Sequence, residues 1–170
     1  RVLFRSAIRV FAEAGLPTFI ATSFSKSFSL YSERIGAITV TCSDKEEQER
    51  VTSQLKKMVR AIYSSPPSFG AQLVHYVLSD DKLRAMWEEE LKEMRVRIKS
   101  MRTQFVELLN SKQDKVDFSF INEQAGMFSY SGLSADQVER LKKAYAIYTV
   151  SSGRICIAAL NERNVEVAAE

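Results

Sequence analysis

Histidine and cysteine are nearly missing from this sequence. There is one histidine, His75, and there are two cysteines, Cys42 and Cys156. Structural zinc needs three or four Cys, His or carboxylate ligands, and no CxxC pair or second histidine is present to build such a site. Two cysteines far apart make no disulfide framework, so a reducing, cytoplasmic setting is expected. Apolar runs are short. Residues 35–40 and 155–160 are strand-length, far below the roughly 20 residues of a membrane span, and no signal peptide is visible. Neither sign of charge dominates: Lys plus Arg is 24, Asp plus Glu is 21, and the net charge is +3. Nucleic-acid and membrane-surface binders carry a concentrated basic patch. The nearest approach to one is residues 92–102, where Glu93 breaks up the basic residues, and that run reads as a solvated helix face. Neither nucleic acid nor membrane is therefore expected as a partner.

What is present is globular. Of 170 residues, 45% are hydrophobic and 26% charged, enough for one ordinary domain or parts of two. There is no initiator Met. The chain opens inside one helical pattern and stops at Glu170 inside another, over 161–170, with no cap after it. It reads as a fragment. Residues 1–6, Arg-Val-Leu-Phe-Arg-Ser, back-translate with permitted codons into the end of a common sequencing adapter. They are expected to be non-native and carry no functional argument.

Residues 7–14 predict a helix that Gly15 and Pro17 end. Residues 18–22 are a short buried-strand run, 23–34 a Ser-rich loop, and 35–41 a second strand. Asp44 caps a helix to about Tyr63, with Val51, Leu55, Met58, Val59 and Ile62 on one face. Ser64-Ser65-Pro66-Pro67 stops it, and a further helix covers about 68–78. Asp80 or Asp81 caps the longest element, to about Asn110. Leu83, Met86, Trp87, Leu91, Met94, Ile98, Met101, Phe105 and Leu108 form its stripe. Steps of three and four keep that face inward for about 45 Å, long enough to serve two domains, and the stripe reads as core. Beyond it, 116–121 and 126–131 read as strands. Ser134 caps a helix to Tyr145, and 146–150 and 155–160 are strand-like. This tail is α+β.

One loop carries candidate chemistry: Ser23-Phe24-Ser25-Lys26-Ser27-Phe28-Ser29-Leu30-Tyr31-Ser32-Glu33-Arg34. A lysine in a low-dielectric cleft has its amine pKa lowered and becomes a Schiff-base nucleophile. Hydroxyls and an arginine eight residues on can hold a phosphate through charge-assisted hydrogen bonds. By itself the same stretch is equally an exposed loop with a solvated lysine.

The run Ser23-Phe24-Ser25-Lys26, with Leu30-Tyr31, Glu33-Arg34 and Gly36, resembles the cofactor-lysine signature of class I aminotransferases, which use pyridoxal 5′-phosphate. Further blocks follow in the family's order. They are Arg60, Tyr63, Ser64-Ser65-Pro66-Pro67 and Gly70-Ala71; Gly126-Met127-Phe128-Ser129 and Gly132-Leu133; and Ser152-Gly153-Arg154 with Ala158. The likeness covers residues 7–170. It is to the aspartate and aromatic-amino-acid subgroup. Ser29, where the aspartate enzymes usually carry Gly, and the wording of residues 64–72 lean toward the aromatic (tyrosine) enzymes. Ser27 departs from an Asn frequent in the aspartate enzymes.

The resemblance implies an α/β fold: residues 7–85 as the end of the large cofactor-binding domain of fold-type I pyridoxal-phosphate transferases, and 86–170 as the small α+β domain, joined inside one long helix. It implies amino-group transfer between an aromatic amino acid or aspartate and 2-oxoglutarate, with amino acids and 2-oxo acids as partners, in a homodimer. Lys26 would form the Schiff base with pyridoxal 5′-phosphate and then move the proton at the substrate α-carbon. Ser23 and Arg34 would bind the cofactor phosphate. Arg154 would fork onto the substrate α-carboxylate. Arg60, from the other subunit, would meet a side-chain carboxylate, and Phe128 would pack near the substrate. Without the resemblance, Arg34 is a partner for Glu33, Arg60 a surface cation at a helix end, and Phe128 core; Tyr31, Tyr63, Trp87, His75, Cys42 and Cys156 have only structural readings. The family's carboxylate for the pyridinium nitrogen is expected outside this chain, so the chain alone is expected to be inactive. Two alternatives are a pyridoxal-phosphate lyase of the same fold and the aminotransferase-like effector domain of a transcriptional regulator.

Overall fold

A computed structural model describes residues 2–113 and 115–170, with side chains from Ala7 onward. Arg1 and the side chains of residues 2–6 lie outside it, and with them the question of their origin. Helix α1, Val2–Glu13, ends as its glycine dictates. Gly15 takes φ +66, its amide bonds the Ala12 carbonyl (3.1 Å), and the Leu16 amide reaches back to Phe11 (3.2 Å). This pair of bonds caps a helix through a left-handed residue, which glycine adopts without strain.

Strands β1, Phe19–Ser23, and β2, Gly36–Val40, pair antiparallel, from Phe19 opposite Val40 to Ser23 opposite Gly36. The twelve residues from Phe24 to Ile35 connect them as a loop, one residue later at each end than expected. The expected burial of β1 does not hold: Ile20 is half-buried and its other residues are exposed. The sheet has two strands, and so thin a ribbon buries a face only when another layer covers it.

Helix α2, Lys45–Tyr63, starts on Asp44, whose carboxylate accepts from the Glu47 amide at 2.7 Å. Glu47 answers by accepting from the Ser43 amide (2.6 Å) and hydroxyl (2.7 Å), which hold its carboxyl below the usual range. Its expected inward face is largely bare. Val51 and Leu55 are half-buried, but Met58, Val59 and Ile62 are exposed. Helix α3, Phe69–Ser79, then leans on the start of β2: a Cβ at Gly70 would come 3.2 Å from the Glu33 Cβ and 3.4 Å from that of Ile35.

Helix α4, Asp81–Lys112, is capped by Asp80, which accepts from the Leu83 amide at 2.9 Å. The chain divides inside it into two compact units, Arg1–Glu89 and Glu90–Glu170, four residues beyond the boundary expected from sequence. Its apolar stripe is not inward throughout. Met86 and Met94 are exposed, and full burial begins at Met101.

The core of the second unit is Met101, Phe105 and Val106 of α4 with Ile121, Ile157, Val165 and Ala169. Strands β3, Phe128–Tyr130, and β4, Arg154–Cys156, pair antiparallel beside it. Helix α5, Ala135–Tyr145, carries a full capping box between Ser134 and Gln137. Helix α6 is short, Val165–Ala168.

Four expectations fail here. Residues 116–121 form no strand. Gln113 takes the Lys115 and Val116 amides, Asn110 takes the Phe118 amide, Asp117 takes that of Ser119, and Ser119–Ile121 is a 3-10 turn. Side chains here occupy the donors a ladder needs. Hydrogen bonds from Ser119 and Asn110 also hold the Asp117 carboxyl below its usual range. Residues 146–150 do not pair, because Ala146 turns left-handed (φ +55) and the Ile147 amide reaches back to Leu141. The ladder expected over 155–160 stops at Cys156, and Ile157–Ala159 turns inward as a 3-10 segment with Ile157 fully buried. The helix expected from 161 begins only at Val165, because the Asn161 and Asn164 side chains accept from nearby amides.

The reading of 92–102 as a solvated face also needs correction. Arg102 is 6% exposed and donates to the Gly126 carbonyl and to Ser129 Oγ (3.4 Å), and burial lowers its pKa. Arg97 donates to the carbonyls of Leu160 (3.0 Å) and Ala158 (2.9 Å). Among the described residues, no helix is long and apolar enough to cross a membrane.

Two substitutions test this packing. A Cβ at Gly36 would stand 2.5 Å from the Thr22 carbonyl oxygen. Gly36→Ala should therefore cost about 1–3 kcal/mol of local stability, measured as faster amide exchange across β1 and β2. Arg102→Met should leave buried Ser129 without that donor and cost about 1–3 kcal/mol, seen as faster exchange at β3 and β4 with α2 and α3 unchanged.

Candidate active site

The hairpin mouth gathers three of the expected residues. Ser23 closes β1 opposite Gly36, and the Phe24 amide extends the ladder to the Ile35 carbonyl (3.2 Å). Arg34, one residue before Ile35, thus lies across the mouth from the Ser23 arm, and Lys26 stands in the loop that joins them. Inside the mouth, Ser23 Oγ accepts from the Ser25 amide (3.2 Å) and donates to Ser25 Oγ (3.1 Å), with Ser25 buried.

Both cations of the loop use Tyr31. The Lys26 amine lies 4.7 Å from its ring centroid, and Arg34 Nη1 donates to its carbonyl at 3.1 Å. The ion pair of Arg34 with Glu33 that sequence allowed is not what anchors the guanidinium. Arg34 itself takes φ +51 and Ser29 φ +55, conformations that non-glycine residues hold at a cost. The loop is tied from outside by Trp87, whose indole N–H donates to the Ser27 carbonyl at 2.7 Å. Sequence reading missed this role for Trp87. It sits within an apolar stripe, where the indole N–H leaves no periodic signal.

Arg60 occupies the last turn of α2, exposed, and its carbonyl accepts from the Ser64 amide. It belongs to the same unit as the hairpin but is not among the loop's contacts.

In the second unit, β3 and β4 alternate faces. Ser129 is buried and Ile155 half-buried, whereas Phe128, Tyr130, Arg154 and Cys156 point the other way and are exposed. Phe128 pairs with Cys156, so Arg154 is its diagonal neighbour, and the guanidinium carbon lies 4.7 Å from the Phe128 ring centroid. Stacking by its face leaves the N–H edge of an arginine open for a planar, two-oxygen anion. Phe128 is thus exposed beside Arg154 and not core.

The backbone behind Arg154 is fixed. Gly153 takes φ +75, where a Cβ would stand 2.6 Å from the Leu133 carbonyl oxygen. Its own carbonyl accepts from the Ser131 amide (2.9 Å) and hydroxyl (2.7 Å), and Thr149 Oγ1 donates to the Arg154 carbonyl (2.6 Å). Ser131 and Thr149 were not singled out from sequence; they read there as hydroxyls within the strand runs 126–131 and 146–150. Arg102 could have been, since it shares the face of Ile98, Met101, Phe105 and Val106.

The donor set on the hairpin suits a phosphorylated aldehyde. An amine is available for the carbonyl, a guanidinium with one of its five N–H groups engaged is available for the phosphate, and the Ser23 hydroxyl can join it by turning its one proton away from Ser25 Oγ.

Comparison with known proteins agrees in family. The sequence model of the family described as aminotransferase class I and II matches residues 2–170. An aspartate aminotransferase of Pseudomonas aeruginosa is 55% identical over 161 residues, covering 95% of this chain and 40% of that protein. The aromatic-amino-acid aminotransferase of Escherichia coli is 51% identical over 160 residues, 94% of this chain and 40% of that one. A crystal structure of the aromatic-amino-acid aminotransferase from Burkholderia pseudomallei, covalently bound to pyridoxal phosphate, superposes with a TM-score of 0.93 at 54% identity, over 96% of this chain and 41% of that one. The chain thus spans about two fifths of the length of the relatives it matches, and its α/β fold is theirs. With the family's blocks in order and nearly all of its length matched by the family model and by a solved relative, this chain belongs to the class I and II aminotransferases.

Proposed function

We propose that this chain is the lysine-bearing part of an enzyme that moves an amino group between an aromatic amino acid or aspartate and 2-oxoglutarate. The observation that carries the reading is the gathering of Ser23, Lys26 and Arg34 at one hairpin mouth in a chain of this family. Pyridoxal 5′-phosphate, when bound, supplies the electron sink for the substrate α-carbon. Lys26 is its covalent attachment point and afterwards the base and acid that moves the proton at that carbon. Ser23 and Arg34 hold the phosphate by a hydroxyl and a guanidinium.

Arg154 binds the substrate α-carboxylate, and its stacking on Phe128 supports that role by presenting the N–H edge. Phe128 also borders the substrate. Arg60 serves the partner subunit of a homodimer, facing a second, side-chain carboxylate; its exposure at the end of α2 supports this. The first unit belongs to the large cofactor domain and the second is the small domain. The two cysteines are free thiols, which supports a cytoplasmic setting. The 170 residues alone are proposed to be inactive, because the anion that keeps the cofactor ring protonated belongs to the remaining length of such enzymes.

In the full-length enzyme carrying this segment, Lys26→Ala should abolish turnover and the borohydride-trapped link to cofactor while phosphate-mediated binding persists. A trapped link surviving elsewhere in the protein overturns the assignment. Arg154 and Arg60 separate by substrate. Arg154→Ala should lower kcat/KM by roughly two decades for tyrosine and aspartate alike, the loss of a charge-assisted fork. Arg60→Ala should do so for aspartate and spare tyrosine; equal losses on both would remove Arg60 from the side-chain pocket.

A further inference from the structure

We infer that Trp87 is a positioning residue for Lys26, acting through the two residues that follow it: its indole N–H fixes the Ser27 carbonyl and its ring fixes Phe28. The inference rests on the reading of Lys26 as the reactive lysine.

The loop cannot hold its own shape cheaply. Ladder bonding ends with the Phe24 amide on Ile35. Beyond that the loop's backbone ties are the Phe28 amide on the Phe24 carbonyl (3.1 Å) and a long one, the Ser29 amide on the Lys26 carbonyl (3.4 Å). Ser29 and Arg34 both take positive φ, and such residues persist only where surrounding structure over-determines them. Trp87 supplies that determination from 60 residues away. Its 2.7 Å bond to the Ser27 carbonyl is shorter than either backbone tie. Its ring stacks on Phe28 at 4.7 Å and 20°, and Phe28 meets Phe24 edge-on at 5.5 Å. The second peptide after Lys26, Ser27–Phe28, is therefore gripped by a hydrogen bond and a stacked aromatic chain, while the Lys26 amine stays on the exposed side over Tyr31. Plain packing needs only the ring. The directed N–H bond sets the orientation of the Ser27–Phe28 peptide and so narrows the ψ of Ser27, which limits, one residue back, the directions in which the Lys26 side chain leaves the loop.

The test compares Trp87→Phe, which keeps a ring and loses the N–H, with Trp87→Leu, which loses both, in the full-length enzyme carrying this segment. Without cofactor, Trp87→Phe should speed exchange of the Phe28 and Ser29 amides about fivefold, the worth of one hydrogen bond, with the β1–β2 ladder unchanged. With cofactor, it should lower kcat about fivefold at nearly constant KM, and Trp87→Leu should approach a hundredfold, the scale of an ångström's misplacement. Wild-type exchange and kcat in Trp87→Phe overturn the inference. So does a uniform rise in exchange across the hairpin, which marks packing alone. If Trp87→Leu does not fold, Trp87→Phe decides. If the wild type traps no cofactor at Lys26 with borohydride, both readings fall; if it traps cofactor and Trp87→Phe matches it throughout, this inference alone falls.

Discussion

The closing of one hairpin is the constraint on which the first unit depends. Strands β1 and β2 meet so tightly at Gly36 that a single added carbon would press on the Thr22 carbonyl. That contact sets Ser23 against Gly36 and the Phe24 amide against Ile35. Everything between is a loop whose two ends are thereby fixed. A hydroxyl on one arm, a guanidinium on the other and an amine between them follow from that register. A slip of one residue would turn each arm's side chains to the other face. Helix α3 adds a second brace where Gly70 admits Glu33 and Ile35, next to Arg34.

The second unit solves a similar problem by different means. Arg154 is exposed, yet the peptide before it is among the most restrained in the unit. Gly153 is left-handed and crowded by Leu133, and buried Ser131 binds its carbonyl twice. Behind the same two strands, Arg102 donates to Gly126 and Ser129. An arginine can serve there because its long apolar stem packs while its fork satisfies oxygens that the strands leave unpaired.

Local signals in the sequence were read well because they are local. Asp44, Asp80 and the Ser134–Gln137 box cap helices through bonds spanning three residues, and Gly15 ends one through its own φ. The family's blocks were legible for the same reason. Where reading of strands and helix starts failed, nearby side chains and turns had taken the backbone groups that a ladder or helix needs. Alternation over 116–121 looks like a strand, but Asn110, from the preceding helix, takes the Phe118 amide. The faces of β1 and α2 show that an apolar side exists and say nothing of what covers it. Trp87 and Arg102 carry polar atoms inside apolar periodicity, and periodicity weighs only the carbon. The candidate site was legible as residues. The partners that orient them, Tyr31 in the first unit and Ser131 and Thr149 in the second, carry no sequence signal of their own until the fold brings them in.

Those partners share one physical property. The ion pairs Arg50–Glu46, Arg84–Glu88, Lys112–Glu170 and Lys143–Glu139 engage none of Lys26, Arg34 and Arg154. The candidate cations of each unit are held by neutral groups: in the first, Lys26 by the Tyr31 ring and Arg34 by the Tyr31 carbonyl; in the second, Arg154 by the Phe128 ring. A carboxylate in any of these places would orient the cation equally well but cancel its charge and compete with an incoming anion. An aromatic face or a carbonyl dipole orients it and leaves the full charge and most of its N–H donors to the ligand. The contrast with Glu33 makes the point within one loop. Glu33 adjoins Arg34 in sequence, yet the guanidinium turns to a backbone oxygen three residues back. A cation that is to meet an incoming anion needs to be positioned but not neutralised, and that is how Lys26 and Arg34 are held in the first unit and Arg154 in the second.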